Sequence, residues 1–510
     1  MRAAMFFALG AVLVCNLAWT EAATTGTLTT SNGQILDANG NVVVLKGFAL
    51  SGFEISLTMS GDLSEGTDSI AHDWDTIMYR AKMMGFNAVR IEWSVDGLAT
   101  APKEFTTANC DIATTADIQA SMLPPTTADT PQPTGTPTLP QQPPTTGTTG
   151  NVCSSDLPNT STQDRYVYLV HYLCGQGFYV NMVYHSYAMA YGGDKAVLNE
   201  TGWVQDWVSL MTQVLESDVC QDHLIVDLMN EPDAYGATWT DGGTLPKDIA
   251  TYYLDAMDAL YSLCPGCLFQ IQGCGQITAP IYANYGDGYC TDSSLLGSSS
   301  SNPTAFFTTL LNKAYLNQVV IAPHVYGPSV TDAVSTSSGS ALYARLSESF
   351  GYLNKKGFCA GSSCHIFTVV MGEFNVNFGQ TADVAFWTSL VQYLNNVGDA
   401  ADGLHNAISS FYMWAWDANA DDTHHSGGLV ASDWETLNWQ KLGALIGNNT
   451  EFTYGLHLTP WYLPGYALPT GSNSTNSTSK KTAKSGAREA AAGVGLSLML
   501  LVGIVMMLTQ

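Results

Sequence analysis

The 510-residue sequence predicts an α/β fold, a (β/α)8 TIM barrel. Three observations carry that prediction. Eight short apolar runs recur along the chain, amphipathic stretches of helical period lie between most of them, and polar or aromatic side chains stand at the ends of all the runs except the first and fifth.

The runs are VVVLKGFAL (42–50), NAVRIEW (87–93), GFYVNMVYH (177–185), HLIVDLMN (223–230), CLFQIQG (267–273), QVVIAPHVY (318–326), IFTVVMGEF (366–374) and AISSFYMWAW (407–416). They are rich in β-branched and aromatic residues and too short for typical helices, so they are read as strands buried on both faces. Segments 72–86, 202–217, 341–357 and 382–398 place apolar residues three and four apart and are read as helices covering the strands. An open doubly wound sheet is the competing topology. No glycine-rich phosphate loop follows the first strand, which argues against its nucleotide-binding version.

With 46% hydrophobic and 12% charged residues the chain can bury a large core, and its formal charge of −26 disfavours nucleic acid and anionic surfaces as partners. Both ends read as addresses. Residues 1–23 have the basic, apolar and small-residue layout of a secretory signal peptide. Residues 470–487 form a Ser/Thr-rich stalk, and 488–510 an apolar tail that fits a GPI-attachment signal, with a membrane-spanning helix as the alternative. The catalytic body is then 24–469, secreted or held at the cell surface or wall, with the membrane reached only through the C-terminal anchor and the protein expected to be a monomer. Sequons at Asn159, Asn199, Asn448, Asn473 and Asn476 fit that compartment. Cys15 lies in the leader, and the ten cysteines that remain suffice for five bridges, with Cys359–Cys364 and Cys110–Cys153 as candidate pairs. CPGC at 264–267 matches a redox spacing but follows a helix-like segment in a secreted chain. Residues 123–150, almost wholly Pro, Thr, Gly and Gln, are read as an extended, flexible surface insertion rather than a domain linker.

In a barrel of this kind the chemistry sits at the C-terminal ends of the strands. There the sequence places Arg90, His185, Asn230 with Glu231, His324 with Tyr326, Glu373, and Trp414 with Trp416. Retaining cleavage of a glycosidic bond needs a carboxylate nucleophile and a protonated partner about 5–5.5 Å away. Glu231 and Glu373, on the fourth and seventh strands, are the pair a closed ring brings face to face. Burial beside a second carboxylate suits the proton donor, and Arg90 would hold the other acid ionised.

The set LMNEP, VVMGEF, Arg90 on the second strand, PHVY on the sixth and WAWD on the eighth resembles glycoside hydrolase family 5, most closely its bacterial endoglucanase branch. The likeness runs from about residue 27 to 466. It implies Glu231 as acid/base, Glu373 as nucleophile, and Asn230 as partner of the substrate 2-hydroxyl. It further implies Arg90 and Tyr326 as positioners of the nucleophile, His185 and His324 as subsite or acid/base-supporting residues, and Trp414 as a sugar platform. The implied substrate is a β-glucan and the implied activity an endo-β-1,4-glucanase, with no cofactor and no metal. Three positions depart from the family pattern: RIEW stands where RLP is usual, VYHSY lacks a carboxylate or Arg before its His, and GEFN replaces GEFG.

Each residue also has a plain structural explanation. An isolated Asn-Glu-Pro is commonly a helix-start turn, single histidines are commonly core residues, and of the alternating Trp414 and Trp416 only one can face the axis. Trp203, Trp207, Trp239 and Trp434 are candidates for a glucan groove, the first two being better read as core from their helical spacing. The cluster Asp421, Asp422, His424 and His425 reads as a hydrated loop rather than a metal site. Other β-glycanase activities (β-1,3-glucanase, mannanase, xyloglucanase) and a catalytically silent wall-binding protein are the alternative functions.

Overall fold

The computed structural model describes residues 28–469, apart from 60–72, 104–114, 127–129, 144–153, 186–199, 277–284, 297–300, 332–336, 418–426 and positions 136, 155, 241, 242, 244, 246 and 432. The chain divides into Met1–Ser472 and Asn473–Gln510, and only the first unit is described below. The leader, the stalk, the apolar tail, Cys110, Cys153 and the 421–425 cluster therefore lie outside the described residues. Among the described residues no helix is long and apolar enough to cross a membrane.

Strands β1 (Thr29–Ser31), β2 (Gln34–Leu36) and β3 (Val42–Val43) form a small antiparallel sheet. The chain then enters a ring of parallel strands: β4 (Lys46–Leu50), β5 (Ala88–Trp93), β6 (Tyr179–Tyr184), β7 (Leu224–Asp227), β8 (Leu268–Ile271) and β9 (Val319–Ile321). A two-stranded hairpin, β10 (Phe358–Ala360) and β11 (Ser363–His365), precedes the seventh stave, which is broken into β12 (Thr368–Val369) and β13 (Met371–Phe374); β14 (Phe411–Met413) is the eighth. β12 pairs with β9 and β13 with β14, which returns to β4. A parallel bridge between His324 and Glu373 joins the sixth and seventh staves, so the barrel is nearly closed. The predicted (β/α)8 barrel is thus the observed architecture, with shorter strands than the apolar runs suggested.

Alternation assigns the faces. On β5, Val89, Ile91 and Trp93 turn outward into the helix-packed core, while Ala88, Arg90 and Glu92 turn toward the axis. The helices Trp74–Met83, Thr162–Gly175, Glu200–Val214, Gly339–Ser349 and Thr381–Asn395 flank the staves where sequence periodicity placed helices or, for Thr162–Gly175, between the second and third runs. The first is capped by Asp73, whose Oδ2 accepts from Thr76 N at 3.1 Å. Beneath the ring, Leu28 and Ile35 from the small sheet pack with Leu45, Ala88, Ile225, Leu268, Val320, Val370 and Tyr412 and seal the floor. Gly47 is required there, since a Cβ would lie 2.3 Å from the Tyr412 ring.

Three disulfides occur among the described residues: Cys174–Cys220, Cys264–Cys267 and Cys359–Cys364. The last is the local pair expected from spacing, and the CPGC pair is bridged. Cys274 and Cys290 are buried and unbridged, so the ten cysteines do not form five bridges. The Pro/Thr insertion is not simply extended and flexible. Part of it lies on the helix Trp74–Met83, where Tyr79 Oη donates to Gln141 O at 3.0 Å and Leu139 packs on the core.

Candidate active site

The strand order explains why distant residues meet. β5, β7, β9 and β13 all run the same way, so their C-terminal ends deliver Arg90, Asn230 with Glu231, His324 with Tyr326, and Glu373 to one rim. His324 Nδ1 lies 2.9 Å from Glu231 Oε1 and 3.5 Å from Glu373 Oε2. One ligand atom from each of Glu231, His324 and Glu373 falls within 4.8 Å of the others. That trio has the donor set to hold a cation, but the guanidinium ion-paired to Glu373 already supplies positive charge there.

Arg90 is fully buried. Its Nη1 is ion-paired with Glu373 Oε1 and donates to Glu92 Oε1 at 2.6 Å, its Nη2 donates to Asn230 Oδ1 at 2.6 Å, and its Nε stands 3.8 Å from Asp227 Oδ2. Tyr326 Oη donates to the other oxygen, Glu373 Oε2, at 2.5 Å. Both oxygens of Glu373 are therefore held. Gly372 precedes it because a Cβ there would lie 2.8 Å from Ala322 O and 2.9 Å from His324 Cδ2. The Asn in GEFN is used locally: Asn375 Oδ1 accepts from Lys441 Nζ at 2.5 Å.

Burial pushes the Glu373 carboxyl up, with Glu231 and Glu92 adding to it, and Arg90 and His324 opposing. Burial also works against the charge of Arg90, but Glu373, Glu92 and Asp227 outweigh it and hold the guanidinium ionised. His324 is driven down to about 3, chiefly by burial. The imidazole is thus neutral, and with carboxylates at Nδ1 its single hydrogen belongs on that nitrogen. Glu92 and Asp227 are each raised to about 7, in both cases by burial against the pull of Arg90.

The remaining expected residues take distinct places. His185 is half-buried at the end of β6, its backbone N–H donating to Trp93 O at 2.8 Å, and it adds slightly to the lowering of His324. Trp414 is half-buried, joined to Ala415 by a cis peptide, while Trp416 is fully buried against Phe48 and Phe86. Trp203 and Trp207 are core, as their spacing indicated. Trp239 and Trp434 are also buried, so neither lines a groove: Trp239 packs on Phe306 with its Nε1 donating to Gly288 O at 2.8 Å, and the Trp434 carbonyl accepts from Arg80.

Sequence reasoning found no functional residue on the fifth stave, yet Gln272 comes from its end. Its Oε1 accepts from Glu231 N at 2.7 Å and its Nε2 donates to Asp227. The available signal was the pair Gln270 and Gln272, polar residues two apart in an otherwise apolar run. Glu54, beyond the first stave, is the second omission: it is buried and faces Glu92. A cavity of about 510 Å³ lined by Cys290, Tyr352, Lys356 and Leu404 involves none of these residues.

Residues 144–420 match the family described as Cellulase (glycosyl hydrolase family 5). The major extracellular endoglucanase of Xanthomonas campestris pv. campestris is 24% identical over 425 residues, covering 81% of this chain and 69% of the relative. An endoglucanase of Paenibacillus polymyxa is 26% identical over 250 residues, 48% of this chain and 53% of the relative. Among solved structures, the catalytic domain of the Xanthomonas enzyme superposes with a TM-score of 0.53 at 20% identity, covering 81% of this chain and 97% of that one. The hyperthermophilic endocellulase of Pyrococcus horikoshii gives 0.54 at 17% identity, covering 82% and 99%. The likeness in fold, together with the family match over more than half of the sequence, makes this chain a member of glycosyl hydrolase family 5, the cellulase family, and so a glycoside hydrolase.

Proposed function

We propose that the protein is a retaining endo-β-1,4-glucanase in which Glu373 is the nucleophile and Glu231 the acid/base. The observation that carries this reading is the short separation of the two carboxylates, with oxygens within 4.8 Å, and the unequal treatment of the pair. A separation this short leaves no room for an intervening water and suits direct attack by one carboxylate. Glu373 has Arg90 on one oxygen and Tyr326 on the other, the environment of an ionised nucleophile. Glu231 has a neutral imidazole 2.9 Å from Oε1 and is partly open to solvent, with a side chain 14% exposed, as a group exchanging protons with a leaving oxygen and then with water must be.

In the first step Glu373 attacks the anomeric carbon while Glu231 gives its proton to the glycosidic oxygen, and that bond breaks to leave a glycosyl ester and a free sugar end. In the second step the Glu231 carboxylate takes a proton from water, whose oxygen displaces Glu373. Both glutamates return to their starting states. Asn230, oriented by Arg90, is placed for the substrate 2-hydroxyl, His185 lies at the same rim, and Trp414 offers a half-buried ring to a sugar face. The relatives named endoglucanase support a β-glucan substrate, and the one named extracellular supports secretion. Residues 1–23 as leader and 488–510 as surface anchor complete the proposal.

The test is hydrolysis of carboxymethyl-cellulose, β-1,3-glucan, mannan and xyloglucan by the purified protein beside Glu231→Gln and Glu373→Gln, with the anomeric form of the first product followed by NMR. Activity on cellulose, retention of configuration and loss in both variants are expected. Preference for another polymer would replace the substrate, inversion would replace the mechanism, and tight binding with no turnover on any polymer would leave a carbohydrate-binding barrel.

A further inference from the structure

Buried acids, Glu54, Glu92 and Asp227 among them, stand beside the reacting pair without a part in the steps above. Arg90 and Glu92 are two apart on β5, so both side chains face the barrel axis. A guanidinium Nη carries two hydrogens. Nη1 of Arg90 is ion-paired with Glu373 Oε1 and donates to Glu92 Oε1 at 2.6 Å. The two acids thus divide a single nitrogen, in a place where the side chains of Arg90, Glu92 and Glu373 are 0%, 1% and 6% exposed. One cation in a water-excluded layer holds its first anion strongly and each further anion less so.

We propose that Glu92 is a positioning residue for the nucleophile: by competing for Nη1 of Arg90 it fixes the rotation of the guanidinium and raises the pH at which Glu373 becomes fully ionised. The inference rests on the assignment of Glu373 as nucleophile.

The groups facing Glu92 come from several elements: Arg90 on its own strand, Glu54 after β4, Tyr166 on the helix Thr162–Gly175, Asp227 on β7 and Glu373 on β13. Glu54 accepts Gly52 N at 2.6 Å but has no cation beside it among the described residues, so the proton in that corner rests on Glu54; Asp227 stands on Nε at 3.8 Å, and the contest for Nη1 is between Glu92 and Glu373. Burial raises both of these, and because they share one nitrogen of Arg90 their ionisations are coupled and they behave as a pair. While the pair holds one negative charge, that charge is shared, and only the fraction of molecules with it on Glu373 can attack. Glu92 Oε2 is buried with no hydrogen-bond partner among the described residues, a place open to the proton when the charge sits on Glu373.

Glu92→Gln keeps an oxygen for Nη1 and removes the competing charge. The sign follows: the first anion then belongs wholly to Glu373, and the acidic limb of kcat/KM moves to lower pH, by about one unit. Rates are measured from about pH 3.5 to 8 on the polymer the wild-type protein hydrolyses, for wild type, Glu92→Gln, Glu92→Asp, Glu54→Gln and Glu373→Gln, with thermal unfolding of each as the check on folding. The expected result is a lowered limb in Glu92→Gln alone, with plateau kcat within about threefold of wild type, and a limb near the wild-type position in the aspartate variant, which keeps the charge, and in Glu54→Gln. An unmoved limb in folded Glu92→Gln, or equal shifts in the Gln and Asp variants, overturns the proposal, the second outcome by making the effect one of packing. So does failure of both Glu92 variants to fold, since the acid would then serve the barrel itself. Should Glu373→Gln retain activity, it is the reading of the reaction that fails, a result separate from any of these.

Discussion

Gln272 holds Glu231 by its backbone: Oε1 accepts the Glu231 N–H at 2.7 Å, and Nε2 is anchored by both oxygens of Asp227 at 2.9 Å. Glu231 adopts φ of 40°, a left-handed conformation that costs a non-glycine residue about 1–3 kcal/mol and persists only where its surroundings impose it. The Pro232 turn follows directly, so the anchored N–H fixes where the carboxylate points.

Gln272→Leu is expected to lower kcat by about 10–100-fold with KM changed less than about twofold, because it frees Glu231, the proposed acid/base, without touching substrate. Steady-state kinetics on a soluble polymer checks the split. An equal rise in KM would place Gln272 in binding instead.

Tyr326→Phe removes the donor on Glu373 Oε2 while leaving Arg90 on Oε1. A hydrogen bond to a carboxylate favours its ionised form, so the variant's Glu373 is protonated at higher pH than the wild type's. Burial already lifts the wild-type group above its ordinary 4.5, so activity is lost as pH falls through a value above that. In the variant the acidic limb moves further up, by about one unit, and a pH–rate profile of kcat/KM reads the difference.

The proposed sugar platform Trp414 and the buried Trp416 allow binding to be tested apart from packing. Trp416→Ala empties a site walled by Phe48 and Phe86, at 5.1 and 6.4 Å between centroids, and is expected to cost about 3–5 kcal/mol in urea unfolding. Trp414→Ala, at a half-buried position, is expected to change stability by less than about 1 kcal/mol while weakening polymer binding about tenfold. Reversal of this pattern would exchange the two roles.

The Cys174–Cys220 bridge ties the end of the helix Thr162–Gly175 to the turn before β7 across a separation of 46 residues. Loop-closure entropy gives it about 4 kcal/mol, against about half of that for Cys359–Cys364, whose separation is 5. Denaturant midpoints of the paired Cys→Ala variants are expected to fall in that order.

The barrel was legible because eight apolar runs leave few other closed arrangements, and the rim residues were legible because they stand in the last few positions of their runs or directly after them. What stayed hidden lies inside strands or depends on three dimensions. Asp227 and Glu92 look like acids interrupting apolar runs until the inward alternation of β5 and β7 is known. Gln272 resembles a neutral strand terminus, and its worth comes from a backbone N–H supplied by another stave. Trp239 and Trp434 follow no helical period, so their burial had no local signal, and composition alone gave no sign that Tyr79 captures Gln141 in the Pro/Thr segment. The left-handed turn at Glu231 is imposed by its neighbours rather than by its own type.

Among the described residues the sealed floor leaves the rim as the barrel's doorway. Leu28 and Ile35 close the lower end with Leu45, Ile225, Leu268 and Tyr412, so nothing can pass along the axis from one end to the other. A polymer too long to enter cannot be threaded and must lie crosswise on the rim, and the pieces it yields must depart sideways over the same threshold. Traffic in and out is shared, which makes a departing fragment the natural competitor of the next chain to arrive.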